Sequence, residues 1–180
     1  PLAALVLHAA PEAHGAAEQR PTRQVCREAR RDLPTVGGCV RVLFDRRGDV
    51  PVTARLLATA RETPTLVVVG FGVSAEHRRA VAAVGAALLV ADDYATALAA
   101  LRSRGVAALL VEGGGVLAGR LLAADLVDRV YAFVAPLFLG AEGVPALGAF
   151  AGDALAGARR WTVAERRSLG PDHLFVLDRT

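Results

Sequence analysis

Short apolar runs alternate with helix-length stretches along most of this chain. Ala4 to Ala9 is the first buried-strand pattern. Arg23 to Leu33 is a short, highly charged helical stretch, broken by Pro34 and the pair Gly37-Gly38. Cys39 to Phe44 reads as a strand ending at Asp45-Arg46-Arg47-Gly48-Asp49, and Val52 to Ala60 fits a short helix or a turn. Pro64 introduces the β-branched strand Thr65 to Val69. Ser74 then stands where an N-cap belongs, with Glu76 in the first turn of a helix over Ala75 to Val84. Ala87 to Val90 is the next strand, and Tyr94 to Arg104 is an Ala/Leu helix closed by Gly105. Val106 to Val111 is a strand, Val116 to Ala124 a helix, and Val127 to Leu139 a long apolar, β-rich run. After a Gly/Ala/Pro-rich loop over Ala141 to Leu155, two strands, Arg160 to Glu165 and His173 to Asp178, flank a hairpin-like turn. Strands alternating with helices make βαβ units with parallel pairing, and the terminal hairpin adds antiparallel strands at one edge. The expectation is one domain over residues 1–180, three-layer α/β, with a mixed and mostly parallel sheet.

Composition narrows the function classes. With 180 residues, 53% hydrophobic and 22% charged, the chain is globular and long enough for a sizeable core. All 21 basic residues are arginine, beside heavy use of Ala and Gly, which looks like GC-rich coding, so single arginines are discounted. The net charge of +3 is spread along the chain and suits small anions better than nucleic acid. Cys26 and Cys39 form no C-x-x-C pair and no His/Cys cluster at ligand spacing, so no metal is expected, and a reducing cytoplasm fits. Pro1 to Leu7 is too short to span a membrane and lacks the basic flank of a signal peptide. The chain lacks an initiator Met, which suggests that it was cut from something longer.

Two glycine turns carry candidate chemistry. Gly70-Phe71-Gly72-Val73-Ser74-Ala75 follows a strand, opens a helix and matches G-x-G-x-x-A, with Asp92 at the end of the next strand. Two strands precede it, whereas a dinucleotide fingerprint usually sits on the first strand of its domain, and a surface turn with a serine cap explains it as well. The second is Glu112-Gly113-Gly114-Gly115, between the strand ending at Val111 and a helix. Bare amides at a helix start favour an anion, and Glu112 lies at the carboxyl end of a strand, the usual ligand edge of a parallel sheet.

The flanks of this second turn carry a resemblance. Val111 to Gly140 (V-E-G-G-G-V-L-A-G-R-L-L-A-A-D-L-V-D-R-V-Y-A-F-V-A-P-L-F-L-G) resembles the core signature of the riboflavin-biosynthesis reductase domain. That domain is the C-terminal half of the bifunctional pyrimidine deaminase/reductase and has a dihydrofolate-reductase-like fold. The resemblance extends upstream through V-R-V-L-F-D-R-R, A-R-L-L and P-T-L-V-V-V, and downstream through W-T-V-A-E-R-R-S-L-G-P-D-H-L-F-V-L, covering residues 38–180. It implies NADPH-dependent reduction of 5-amino-6-(5-phosphoribosylamino)uracil to the ribitylamino compound; a homodimer is expected as well, with the apolar run Tyr131 to Leu139 as a surface that could pair. Hydride would reach C1 of the opened sugar. The positions matching the cofactor loop are Gly113, Gly114, Gly115, Val116, Leu117, Ala118, Gly119 and Arg120, and Glu112 matches a substrate contact. A cofactor-contacting residue after the Asp of V-L-F-D, commonly Ser in the family, is Arg46 here. With Arg47 beside it, Arg46 suits bidentate capture of a 2′-phosphate.

The front of the chain, residues 1–37, departs from the family pattern. Glu28-Ala29-Arg30-Arg31-Asp32 fits a family helix, but the Gly-x-Gly-Thr-containing loop that follows in the family has no match, and the deaminase motifs are absent. No residue stands out as a general acid; water, His8 or His14 are the candidates. Two alternatives stay open: a reductase of the same fold with another substrate, and a non-catalytic remnant serving oligomerisation through the apolar run Tyr131 to Leu139.

Overall fold

The structure, a computed structural model, describes residues 3–8, 40–112, 114–138, 140, 143–148, 158 and 160–180, with backbone alone for 3–8. The helix expected over Arg23 to Leu33, both cysteines, His14 and Gly113 lie outside the described residues. In chain order the elements are β1 (Ala3–His8), β2 (Arg41–Phe44), α1 (Arg55–Ala58), β3 (Thr65–Val69), α2 (Ala75–Ala83), β4 (Ala87–Val90), α3 (Tyr94–Ser103), β5 (Leu109–Val111), α4 (Gly115–Ala123), β6 (Arg129–Val134), β7 (Trp161–Leu169) and β8 (Asp172–Arg179). Contacts divide the chain into two compact units, Thr35–Val106 and Pro1–Pro34 with Ala107–Thr180.

The Thr35–Val106 unit holds a parallel sheet in the order β2-β3-β4. Every residue of the central β3 is buried, which is why its sequence runs apolar without alternation. Val67 and Val69 pack with Leu57, Ala60, Val73, Val81 and Ala86 on one face. Helix α3 buries Ala97, Leu98 and Leu101, an i, i+1, i+4 stripe. The expected caps form: the Ser74 hydroxyl accepts the His77 amide at 3.1 Å, and Gly105 sits past the end of α3 with φ +85°.

The other unit holds a five-stranded sheet in the order β5-β1-β6-β8-β7. Strand β1 lies between β5 and β6, parallel to both, and β6-β8-β7 are antiparallel. Tyr131, Leu174 and Val176 form its buried centre.

Three of the differences from the expected boundaries have a visible cause. Strand β5 starts at Leu109 rather than Val106, because its pairing with β1 begins at the Ala3–Leu109 register and the Val106 amide turns back to the Leu101 carbonyl at 3.1 Å. The apolar run from Val127 gives a strand only over Arg129–Val134; Pro136 lacks an amide donor and the Leu137 amide closes onto Ala135 at 2.8 Å. The hairpin is longer than its hydrophobic pattern. Residues 162–168 are exposed, so polar Arg166, Arg167 and Ser168 cost nothing there while β8 still pairs their backbone. Gly170, at φ +66°, and Pro171 form the turn.

Candidate functional site

In the five-stranded unit, the carboxyl ends of the parallel strands β5, β1 and β6 share one edge. Glu112 follows β5 directly and is exposed. The backbone of β1 runs three residues past its Leu5–Val111 register to end at His8, so that residue stands on the same edge. Helix α4 begins beside Glu112. Its N-cap is Gly114, which offers no side-chain acceptor, and its first turn holds no acidic residue. A Cβ at Gly114 would meet nothing within 4 Å. A helix start without its own acceptor leaves amide donors directed outward, with the positive end of the dipole behind them.

Gly115 behaves differently. A Cβ there would lie 2.8 Å from the Pro145 carbonyl oxygen and 2.9 Å from the Gly148 nitrogen. The Gly148 amide donates to the Gly115 carbonyl at 2.8 Å. Gly119 also faces Gly148, and it and Ala118 are buried. Val116 and Arg120 are exposed, and Leu117 is half-buried. Within the loop, then, Gly114, Val116 and Arg120 are exposed, Gly115 and Gly119 face the 145–148 segment, and Ala118 is buried. The sequence pattern does not separate them, because the opposing surface comes from the 145–148 segment.

In the other unit, the turn after β3 is closed by its own neighbours. The Asp92 carboxylate accepts the Phe71 amide at 2.8 Å, and the Arg78 guanidinium donates to the Phe71 carbonyl at 2.6 Å. Gly70 has no room for a Cβ, with the Arg46 carbonyl at 2.7 Å and Asp92 Oδ1 at 2.9 Å. Asp92 therefore ties a loop together, a role that the spacing alone does not distinguish from holding a ribose. Phe71 is 69% exposed on this clamped turn.

Arg46 follows the buried Asp45, whose carboxylate accepts the Asp49 and Val50 amides at 2.9 and 3.2 Å and lies 3.4 Å from His77 Nε2. Arg47 is paired with Asp49 at 2.6 Å, whereas Arg46 makes no ion pair among the described residues and rests its guanidinium 5.6 Å from the centroid of the Tyr94 ring. The nearby Asp93 caps α3; hydrogen bonds from the Thr96 amide and hydroxyl hold its carboxyl below the usual range. Sequence reading paired Arg46 with Arg47; the structure pairs Arg46 with Tyr94. Aromatic residues near an arginine-bearing loop are the signal that would have found it.

A shallow cavity of about 300 Å3 in the five-stranded unit is lined by Asp125, Arg160, Trp161, Arg179 and Thr180, and contains none of the predicted site residues. Among the described residues no cluster of three metal-binding side chains occurs, and no helix is long and apolar enough to cross a membrane.

The RibD C-terminal domain family model matches residues 5–175. The chain belongs to that family. It is 35% identical over 109 residues to the 2,5-diamino-6-ribosylamino-4(3H)-pyrimidinone 5′-phosphate reductase of Archaeoglobus fulgidus, covering 59% of this chain and 49% of that protein. It is 38% identical over 69 residues to the riboflavin biosynthesis protein RibD of Mycobacterium tuberculosis, covering 38% of this chain and 20% of the relative. The chain thus spans about half or less of the curated relatives it matches. Among solved structures, Acinetobacter baumannii RibD superposes with a TM-score of 0.78 at 22% identity, over 100% of this chain and 58% of that one. The Thermotoga maritima deaminase/reductase gives 0.67 at 16%, over 100% and 57%. The chain has the dihydrofolate-reductase-like α/β fold expected of it, with parallel strands and an antiparallel terminal hairpin.

Proposed function

We propose that this chain is an NADPH-dependent reductase of a ribosylaminopyrimidine 5′-phosphate in riboflavin biosynthesis, with 5-amino-6-(5-phosphoribosylamino)uracil as its substrate. The observation that carries the reading is the uncapped start of α4 at Gly114, on the strand edge that also bears Glu112. Family membership supports the reaction class, and the name of the archaeal relative supports the substrate class.

Each unit, taken by itself, carries groups of the kind such a cofactor uses. In the five-stranded unit, the amides at the start of α4 suit its diphosphate, with Gly113, Gly114, Gly115, Val116, Leu117, Ala118, Gly119 and Arg120 as the cofactor loop, of which Gly115 and Gly119 also face the 145–148 segment. In the other unit, Arg46 suits a 2′-phosphate. When bound, the nicotinamide supplies hydride to C1 of the opened sugar. The protein supplies orientation and exclusion of water. Glu112 accepts a hydrogen bond from a sugar hydroxyl and fixes the open chain.

The exposed Leu137 and Phe138, the latter fully so, support a homodimer using the segment after β6. The setting is the cytoplasm. Titration of the purified chain with NADPH, followed by turnover assays on the uracil and diaminopyrimidinone substrates, tests the reading. Saturable binding and turnover of the uracil compound are expected. Absence of binding at millimolar NADPH eliminates the reductase reading, and turnover of only the diaminopyrimidinone compound reassigns the substrate.

A further inference from the structure

We infer that Tyr94 is a positioning residue that makes the chain prefer a 2′-phosphorylated dinucleotide over its unphosphorylated counterpart, acting through Arg46. The inference rests on the reading of Arg46 as a cofactor contact. It starts from the contrast between two adjacent arginines. Arg47 is paired with Asp49 at 2.6 Å, while Arg46, exposed and without an ion pair among the described residues, lies over the Tyr94 ring with its guanidinium carbon 5.6 Å from the centroid. A guanidinium lying over a ring uses one face for the cation–π contact and keeps its edge donors for a bidentate acceptor.

The support beneath Arg46 is fixed at each level. Tyr94 is the first residue of α3, behind an Asp93 cap that holds the Thr96 amide and hydroxyl, each at 2.7 Å. Its ring leans on Phe44, the last residue of β2, with centroids 5.7 Å apart and planes at 55°. The main chain of Arg46 is held as well, since its carbonyl accepts the Gly70 amide at 3.1 Å and the Asp45 carboxylate organises the loop beyond it. Charges near Arg46 are its neighbour Arg47, the Asp93 carboxylate and Asp45, the last engaged by two amides. An unsupported arginine samples many rotamers and loses that freedom on binding; a stacked one has already lost it. Because a plain ribose 2′-hydroxyl gains little from the fork, the support favours the phosphorylated cofactor alone.

The test measures dissociation constants of NADPH, NADH, adenosine 2′,5′-bisphosphate and AMP for the wild type, Tyr94→Leu, Tyr94→Phe, Arg46→Ser and the double variant Arg46→Ser/Tyr94→Leu, with melting curves as a folding control. Tyr94→Leu is expected to weaken NADPH and the bisphosphate about three- to tenfold, leaving NADH and AMP unchanged. Tyr94→Phe, which keeps the ring, is expected to restore wild-type values. On the Arg46→Ser background, Tyr94→Leu is expected to have no further effect, the signature of action through Arg46. Equal loss for phosphorylated and unphosphorylated ligands, or no loss in Tyr94→Leu, overturns the inference. A wild type that binds NADPH and NADH equally overturns the inference and leaves the reductase reading standing. A wild type that binds none of the four overturns both.

Discussion

The turn at Gly70-Phe71-Gly72 and the start of α4 at Gly114-Gly115 each open a helix beside a parallel strand, but among the described residues only the first is capped by a side chain at its N-cap. There Asp92 accepts the Phe71 amide, Arg78 donates to the Phe71 carbonyl, Ser74 caps α2, and Glu76 places a negative charge in the first turn. At the start of α4 the N-cap is a glycine and the first turn holds no acid. Two turns that each pass as phosphate loops therefore differ in how their helix starts are capped and charged. Matching G-x-G-x-x-A with an acid downstream does not reveal that difference, because the acid can be the loop's own tie.

The largest effect should come from putting a carboxylate at each turn. Gly114→Asp is expected to weaken NADPH binding by about a hundredfold or more, since a like charge against a phosphate costs several kcal/mol. Gly72→Asp should cost less than about fivefold, because it enters open space on an exposed turn. Isothermal titration of both variants decides this, and equal losses would erase the distinction between the turns.

Next is the packing contrast. Gly115→Ala forces a methyl to within 2.8 Å of the Pro145 carbonyl oxygen and should destabilise the fold by about 1–3 kcal/mol. Gly72→Ala meets nothing within 4 Å and should stay within about 0.5 kcal/mol of wild type. Denaturant melts read both numbers. A smaller effect belongs to the tie itself. Asp92→Ala removes the acceptor of the Phe71 amide, and about 1 kcal/mol of local stability should go with it. Hydrogen exchange at the Phe71 amide should accelerate; unchanged exchange would mean that Asp92 does not hold the turn.

The smallest effect lies outside both turns. Arg129 donates to Asp178 at 2.6 and 2.9 Å across β6 and β8, and these hydrogen bonds hold the Asp178 carboxyl below its usual range. A carboxyl lowered in the folded state stabilises above its unfolded value of about 3.9 and loses that contribution as pH falls through the folded value. Both side chains are over a third exposed, at 43% and 36%, so screening leaves well under about 1 kcal/mol. Stability measured from pH 6 down to pH 2 should fall slightly less for Asp178→Asn than for wild type, without altering ligand affinity at pH 7.

Much of the fold was legible because its signals are local. Thr65 to Val69 and Ala87 to Val90 are the strands observed, and α2 begins where Ser74 caps it. Strand ends were less legible. The polar residues Arg166 to Ser168 look like a stop, yet an exposed edge strand accepts them. For the candidate site, the glycine turn and Glu112 were readable from flanking motifs, as was Arg46 from its place after Asp45. The partners of Arg46, Asp92 and Gly115 were not.

By itself, then, the amino-acid order determined the kinds and succession of elements and the family, since periodicity, caps and contiguous motifs act over a few residues. Tertiary structure alone decided that β1 lies between β5 and β6, that Asp92 closes a turn 21 residues before it, and that Gly115 backs onto Gly148 while Gly114 stays open. Each of these is a contact between distant segments. A glycine has the same composition whether its missing side chain makes room for a ligand or for the chain's own backbone.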